Sequence, residues 1–318
     1  MHLVPRADTM ATVVPTPPRP LAICVDDFGL HEGVNQAVFD LLALGRISAV
    51  SCLVDGPMWA SGAAALRRAI QAPDCDQPIA DVGLHLNFTE WLDASAQAAC
   101  PPQALGRLIR ACYLRQGRVP ALRAEIERQW ARFEAIWGKA PDFVDGHQHV
   151  HQLPQIREAL VQVLRARYPS GYLGPKPWVR QCRSPGLQGL VKGIGLIDTL
   201  KAGVIAALGA PVMGQAARAL GLVRSRRLLG VYPFDADAAG YARRLRVWFS
   251  AVREPDLAEP GGDLLMCHPS VALRHAPPQP DPILASRQME HAVLTGPGFE
   301  RQLADSAVFV ARLPRTPA

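Results

Sequence analysis

The chain has 318 residues, 49% apolar and 19% charged, with 26 Gly and 29 Pro, a globular and turn-rich composition that excludes a disordered or fibrous protein. The formal net charge is +6 and the pI about 9.1, but the basic residues are dispersed, and no basic stripe with interleaved aromatics marks a nucleic-acid surface. The longest weakly polar stretch, Ala202 to Ala217, contains Pro211 and Gln215 and falls short of the roughly 20 apolar residues of a spanning helix, so no integral membrane association is expected.

Residues 1–17 read as a loose tail: an early Arg and several Pro are present, but no apolar run of signal-peptide length. The seven Cys are scattered and odd in number, with Cys24, Cys52 and Cys267 inside apolar runs; reduced thiols in a cytoplasmic protein are the expectation. Neither an internal repeat nor an interdomain linker interrupts the rest, so residues 18–318 read as one domain.

Leu21 to Val25 is an unbroken apolar run ending at Asp26, the pattern of a strand buried on both faces of a parallel sheet. Val34, Ala37, Val38, Leu41 and Leu42 follow at helical spacing, with Gly45 as a stop. The unit then repeats. Strand candidates fall at Ile47 to Val54, Val82 to Leu86, Phe143-Val144, Trp178-Val179, Leu228 to Tyr232 and Leu264 to Cys267. Helices are predicted from about Met58 to Ile70, around Leu122 to Trp137, after Pro154, over much of 187–225, and through Tyr241, Leu245, Trp248 and Phe249. Strands alternating with helices imply parallel βα units. About seven strands, with no Gly-x-Gly-x-x-Gly and no phosphate-cradling loop, predict an α/β fold of the irregular (β/α)-barrel kind rather than a dinucleotide-binding sheet.

The polar residues at the ends of these runs carry the functional signal. Asp26-Asp27, His85, Asp145 with His147, Arg180 and His268 each end a different apolar strand, and in a parallel barrel those ends converge on one face. Neighbouring Asp residues on a strand point to opposite sides unless the chain turns, which Gly29 permits; they then supply one metal ligand and one general base, or else cap the next helix. Asp145-Gly-His-Gln-His-Val-His151 places three imidazoles at alternate positions, on one side if the segment stays extended, with Asp145 able to orient a ring nitrogen. A His-rich loop that only hydrogen-bonds has the same composition. Asp27, His85 and His147 together make two imidazoles and one carboxylate, the donor set of a catalytic metal with open positions, better suited to zinc or a related transition metal than to magnesium. His268, followed by Pro269, is an imidazole that near its usual pKa can protonate a leaving amine. Arg180 can hold Asp26, a substrate hydroxyl or a surface partner. Trp59, Phe88, Trp91 and Trp178 are candidate stacking surfaces for a sugar, and the insertion from about Trp91 to Pro120 is the candidate specificity loop.

At these residues the chain resembles the YdjC family of carbohydrate deacetylases, which includes chitooligosaccharide deacetylases and deacetylases associated with hopanoid biosynthesis. The resemblance runs through Val25-Asp-Asp-Phe-Gly-Leu-His-Glu-Gly-Val-Asn35, Ser51-Cys-Leu-Val-Asp-Gly-Pro57, Val82-Gly-Leu-His-Leu86, Asp145 to His151 with Pro154, and Met266-Cys-His-Pro269. Gln148 stands where many relatives carry His, and Gly146 where Ser is frequent. The resemblance implies a barrel-like fold, one divalent metal on Asp27, His85 and His147, Asp26 as base, His268 as acid, and hydrolysis of an N-acetyl group on an amino sugar. Asp145, His149, His151 and Arg180 are supporting or substrate-contacting candidates. The rival readings are a metal-dependent phosphoesterase and a sugar-binding protein without catalysis.

Overall fold

A computed structural model describes residues 17–71, 77–93, 98–256, 261–273, 275, 277 and 279–314. The predicted tail lies outside them apart from residue 17, and residues 94–97 of the predicted specificity loop are also outside. Eight parallel strands form one sheet: β1 (Arg19–Phe28), β2 (Ala49–Cys52), β3 (Asp81–Leu86), β4 (Phe143–Gly146), β5 (Trp178–Val179), β6 (Leu228–Leu229), β7 (Leu264–Cys267) and β8 (Val308–Val310). The main path runs β5-β4-β3-β2-β1-β7-β6, while β8 pairs with Arg19–Leu21 at the start of β1. A further parallel bridge joins Val179 to Arg224, in the segment leading to β6, with Val179 N donating to Val223 O at 3.0 Å and Ser225 N to Val179 O at 3.1 Å. This bridge stitches the two ends of the path together, and the sheet curls into the expected irregular barrel.

The helices are α1 (Glu32–Ala43), α2 (Trp59–Ala69), α3 (Leu105–Tyr113), α4 (Val119–Trp137), α5 (Pro154–Arg167), α6 (Leu187–Val191), α7 (Leu196–Ala207), α8 (Ala210–Ala219), α9 (Ala238–Ala251), α10 (Leu284–Thr295) and α11 (Gly298–Asp305). The region predicted as mainly helical, 187–225, holds three helices, α6, α7 and α8, with Gly193 and Gly209 at positive φ in the breaks between them.

Along each strand the side chains alternate between two cores. Leu21, Ile23, Val25, Val50, Val82, Leu84, Val144, Val179, Leu229 and Leu265 join the larger core, which the helices cover. Ala22, Cys24, Ala49, Phe143, Trp178, Leu228, Leu264 and Met266 form a smaller one inside the barrel. Period-two alternation thus decides which residues face the interior. Toward the carboxyl ends the interior series turns polar: Ala22 and Cys24 lead to Asp26, Gly83 to His85, Phe143 to Asp145, Trp178 to Arg180, and Leu264 and Met266 to His268. The barrel is plugged with apolar groups at one end and lined with ionisable groups at the other.

Three predicted sugar platforms are taken up by packing, Trp178 in the interior plug and Trp59 and Phe88 in the helix-covered core. Trp178 stacks on Phe143 at 4.1 Å, Trp59 on Phe133 at 5.4 Å, and both Trp rings are buried, as is Phe88. Aromatic surface of this size is worth more in the core than at a wet rim. Only Trp91 of the four is exposed.

Gly83 faces the Phe143 ring, and a Cβ there would lie 2.4 Å from a ring carbon. Gly83→Ala is therefore expected to destabilise the protein by about 1–3 kcal/mol through overpacking, with part of the loss recovered in the Gly83→Ala, Phe143→Leu double variant. Urea unfolding of the two singles and the double checks this; additive losses would show that the two residues do not share the space.

Candidate active site

Strand β1 does not end before its Asp pair, as the sequence suggested, but runs through it with a register shift between Val25 and Phe28. Asp27 sits there with φ +68, a left-handed conformation uncommon for a residue with a Cβ and costly enough to need support from its surroundings. The irregularity re-aims Asp27, and both carboxylates line one cavity of about 510 Å³ at the carboxyl ends of the strands. His85, His147, His149 and His268 line it too.

The two carboxylates have different partners. Asp26 is held in a two-pronged pair by Arg180, Nη1 to Oδ2 and Nη2 to Oδ1 both at 2.6 Å. Arg180 is fully buried and also lies 2.6 Å from Asp145 Oδ2. Burial alone would raise the Asp26 pKa, but the guanidinium overcomes it and holds the carboxyl far below the usual range. Asp27 instead meets imidazoles: Oδ1 lies 2.9 Å from His147 Nδ1 and 3.4 Å from His85 Nε2, while Oδ2 accepts from Arg287 Nη2 at 2.7 Å. Against burial, His147 and then Arg287 keep this carboxyl ionised well below its ordinary value.

Asp27, His85 and His147 offer ligand atoms within 4.8 Å of one another. His85 Nδ1 donates to Asp145 Oδ1 at 2.7 Å, which turns Nε2 toward Asp27, and Ser51 Oγ donates to the same carboxylate oxygen at 2.5 Å. A buried carboxylate behind an imidazole is the arrangement that fixes a metal-binding tautomer. Burial would lower both imidazoles, yet Asp145 and Asp26 raise His85 to about 9, and Asp27 with Glu90 raises His147 to about 10. The cluster thus favours positive charge at the point where the donors meet. Two nitrogens and one oxygen, preoriented in a field that favours a cation, fit a divalent metal of borderline softness.

The other His residues go elsewhere. Asp145 to His151 was expected to put its imidazoles on one side if extended; instead His147–Gln152 forms a 3-10 turn in which Gln148 and His149 have φ of +51 and +61. That turn sends the three rings apart. His147 reaches Asp27, and its Nε2 lies 3.0 Å from Glu90 Oε1. His149 lines the cavity, neutral because burial holds it well below 6.5. His151 is buried beneath the site, its Nε2 donating to Arg180 O at 2.9 Å, and burial lowers it to about 4. His268 Nε2 lies 3.8 Å from Asp26 Oδ2. Burial pushes His268 down to about 4 despite Asp26 and Asp27, so it is neutral at pH 7 rather than near its usual value.

Three contributors were not read from the sequence. Arg287, on α10, grips Asp27 and Asp281; Glu90 follows β3 and meets His147; Glu290 accepts from His268 N at 2.6 Å and Tyr232 OH at 2.6 Å. Arg287 and Glu290 are three apart, so one helix face delivers both, but nothing in the spacing tells which strand ends they meet.

A parallel barrel with a candidate metal cluster and a clamped carboxylate at its carboxyl-terminal mouth has its polar groups where barrel enzymes carry their active sites. The family model described as YdjC-like protein matches residues 20–305, and the chain belongs to that family. It is 32% identical over 155 residues to a carbohydrate deacetylase of Mus musculus, covering 46% of this chain and 47% of the relative. A chitooligosaccharide deacetylase of Serratia marcescens is 32% identical over 139 residues, covering 43% and 52%. The matched regions thus span about half the length of these curated relatives. Among solved structures, a protein of Enterococcus faecalis V583 named for a proposed role in cellobiose-phosphate cleavage superposes over 93% of this chain and 97% of its own, with TM-score 0.57 and 15% identity, a likeness of fold alone.

Burial raises the Glu290 carboxyl from 4.5 to about 7, against the lowering by Tyr232 and the His268 amide. Glu290 keeps a proton in the folded protein that the unfolded chain releases, so this carboxyl's contribution to stability falls by about 3 kcal/mol as pH rises from about 4.5 to about 7, against the rise that the depressed His149, His151 and His268 give over much of the same range. Glu290→Gln is expected to remove that contribution, so that stability rises more steeply with pH in the variant than in the parent. Urea unfolding midpoints on both sides of the window test it; an unchanged slope would assign it to another group.

Proposed function

We propose that this chain is a metal-dependent carbohydrate N-deacetylase, hydrolysing the acetamide of an N-acetylglucosamine-type sugar to acetate and a free amine. The observation that carries this reading is the pair of neighbouring carboxylates in unlike surroundings: Asp27 in the donor cluster with His85 and His147, and Asp26 clamped by Arg180 and facing His268. The deacetylase names of the relatives agree with it.

In this reading Asp27, His85 and His147 hold one divalent ion, zinc favoured over magnesium by the nitrogen donors. Bound there, the ion supplies a lowered pKa for water and polarisation of the acetamide carbonyl. Asp26 accepts the water proton, and the Arg180 clamp fixes which oxygen lone pair faces the cavity. A carboxyl with so depressed a pKa gives its proton up readily. His268 Nε2, 3.8 Å away and neutral at rest, is placed to take it and pass it to the departing amine as the C–N bond breaks. Asp145 orients His85, and Arg287 keeps Asp27 ionised. Leu92 and the α3 residues Leu105 and Ile109, from the predicted specificity loop, line the cavity wall where the rest of the substrate would lie. A two-metal phosphoesterase is disfavoured: the second donor group among the described residues, Cys24, Asp26 and Asp145, is already filled by the Arg180 guanidinium.

Acetate release from a panel of N-acetylglucosamine compounds by metal-loaded protein is the test. Asp26→Asn is expected to lower turnover by about 10²–10⁴-fold while metal content is kept, whereas His85→Ala and His147→Ala lose both. Near-full activity in Asp26→Asn would refute the base assignment, and a metal-loaded protein releasing acetate from none of the panel would refute the reaction. Asp145→Asn should weaken metal affinity by about 10- to 100-fold in competition with a chromogenic chelator; unchanged affinity would remove Asp145 from the support of His85.

A further inference from the structure

Helix α7 is turned inside out. Its buried residues are Asp198 and Ala202, with Asp198 held by Arg244 Nε at 2.8 Å. Leu196, Ile197, Leu200 and Val204 are instead 60–67% exposed. These positions form one stripe of a helix, and the preceding α6 adds Leu187 at 78% and Val191 at 86% exposure. A solvated helix turns such residues inward, since each gains about 1.5–3 kcal/mol on burial. A row of them facing outward marks a surface that is covered in use.

We propose that the α6–α7 face docks peripherally on an anionic lipid bilayer. The first ground is charge. Of the nine Lys or Arg from Lys176 to Arg227, Arg180, Arg224, Arg226 and Arg227 are buried, while Lys176, Arg183, Lys192, Lys201 and Arg218 reach the surface, against one Asp in the segment. Its single acid, Asp198, is buried and paired, while Arg183, Lys192 and Arg218 are exposed. An apolar stripe flanked in sequence by exposed basic groups suits a helix that lies in the boundary between headgroups and acyl chains, where Lys and Arg stems follow the apolar surface while their heads reach phosphate. The second ground is continuity with the cavity. Val204 belongs both to the stripe and to the cavity wall, and Lys201, Ile205 and Leu208 of the same turns line that wall. The apolar surface therefore runs from the exposed face into the cavity, and docking brings the cavity mouth to the lipid. The attachment is peripheral: no single helix among the described residues is long and apolar enough to cross a membrane, and α7 and α8 meet at a 48° bend.

This surface stands apart from the deacetylase reading, and its test uses no substrate. The full chain is sedimented with vesicles of phosphatidylcholine alone or with phosphatidylglycerol. Binding is expected to the anionic vesicles and to weaken with salt. The variant Leu196→Gln, Ile197→Gln, Leu200→Gln keeps helix-forming side chains and is expected to lower the partition coefficient by about tenfold or more, with an unchanged circular dichroism melt. Lys192→Glu, a surface change outside the apolar stripe, is expected to weaken binding to the anionic vesicles alone. A wild-type protein that stays in the supernatant with both vesicles overturns the proposal, as does a folded triple variant that binds undiminished. Light scattering that finds a dimer dissociated by the triple variant, without vesicle binding, assigns the face to a second copy instead.

Discussion

One guanidinium inside the barrel organises the rest. Arg180 enters from the end of β5 with no exposure to solvent, and a charge in that position costs several kcal/mol unless it is fully paired. Asp26 from β1 and Asp145 from β4 supply the pairing, so three strand ends are tied across the interior by contacts of 2.6 Å. The guanidinium also fixes the two carboxylates in the orientations that the neighbouring residues use. Asp145, tied on one oxygen, presents the other to His85; Asp26 is locked with both. Even the backbone of Arg180 is restrained, its carbonyl accepting from His151. The same ion network gives the mouth of the barrel its shape and keeps the charges within it from neutralising by protonation.

Against that rigid background, Asp27 departs from the pattern. Its left-handed backbone and the slip in β1 pairing cost local stability, and Arg287, His147 and His85 hold the result in place. Two adjacent residues of one strand thereby acquire separate electrostatic surroundings within a few ångströms. Both stay ionised, so what separates them is their partners, a guanidinium for Asp26 and two imidazoles with Arg287 for Asp27.

What the sequence disclosed follows from which features are local. Buried parallel strands read as unbroken apolar runs, so β1 through β7 were found, and a polar residue closing each run was enough to collect Asp26, Asp27, His85, Asp145, Arg180 and His268 around one mouth. β8 escaped because Val308–Val310 is three residues long with Phe309 exposed, too little for a strand signal. The divergence of His147, His149 and His151 escaped because it depends on left-handed φ at Gln148 and His149, which neither residue type announces. Arg287 and Glu290 look like polar positions of an amphipathic helix until α10 is seen to press them against strand ends more than 250 residues away in one case. The outward stripe of α7 escaped for the opposite reason: Leu, Ile and Val at helical spacing imply a covered face, but not what covers it.

The place of β8 has a bearing on how the molecule comes into being. β1 is an interior strand of the sheet, and its neighbours lie at very different sequence distances: β2 follows closely, while β7 and β8 pair with it from Leu264–Cys267 and Val308–Val310. Pairings of such long sequence separation form slowly, because the loop they close must first lose its entropy. During synthesis the segment Arg19–Phe28 emerges well before Leu264–Cys267, apolar and half-paired, and waits for that distant segment before its second edge is filled. A strand so exposed is open to wrong partners. The two charged carboxylates near its end, which line the cavity of the folded protein, work against such pairing.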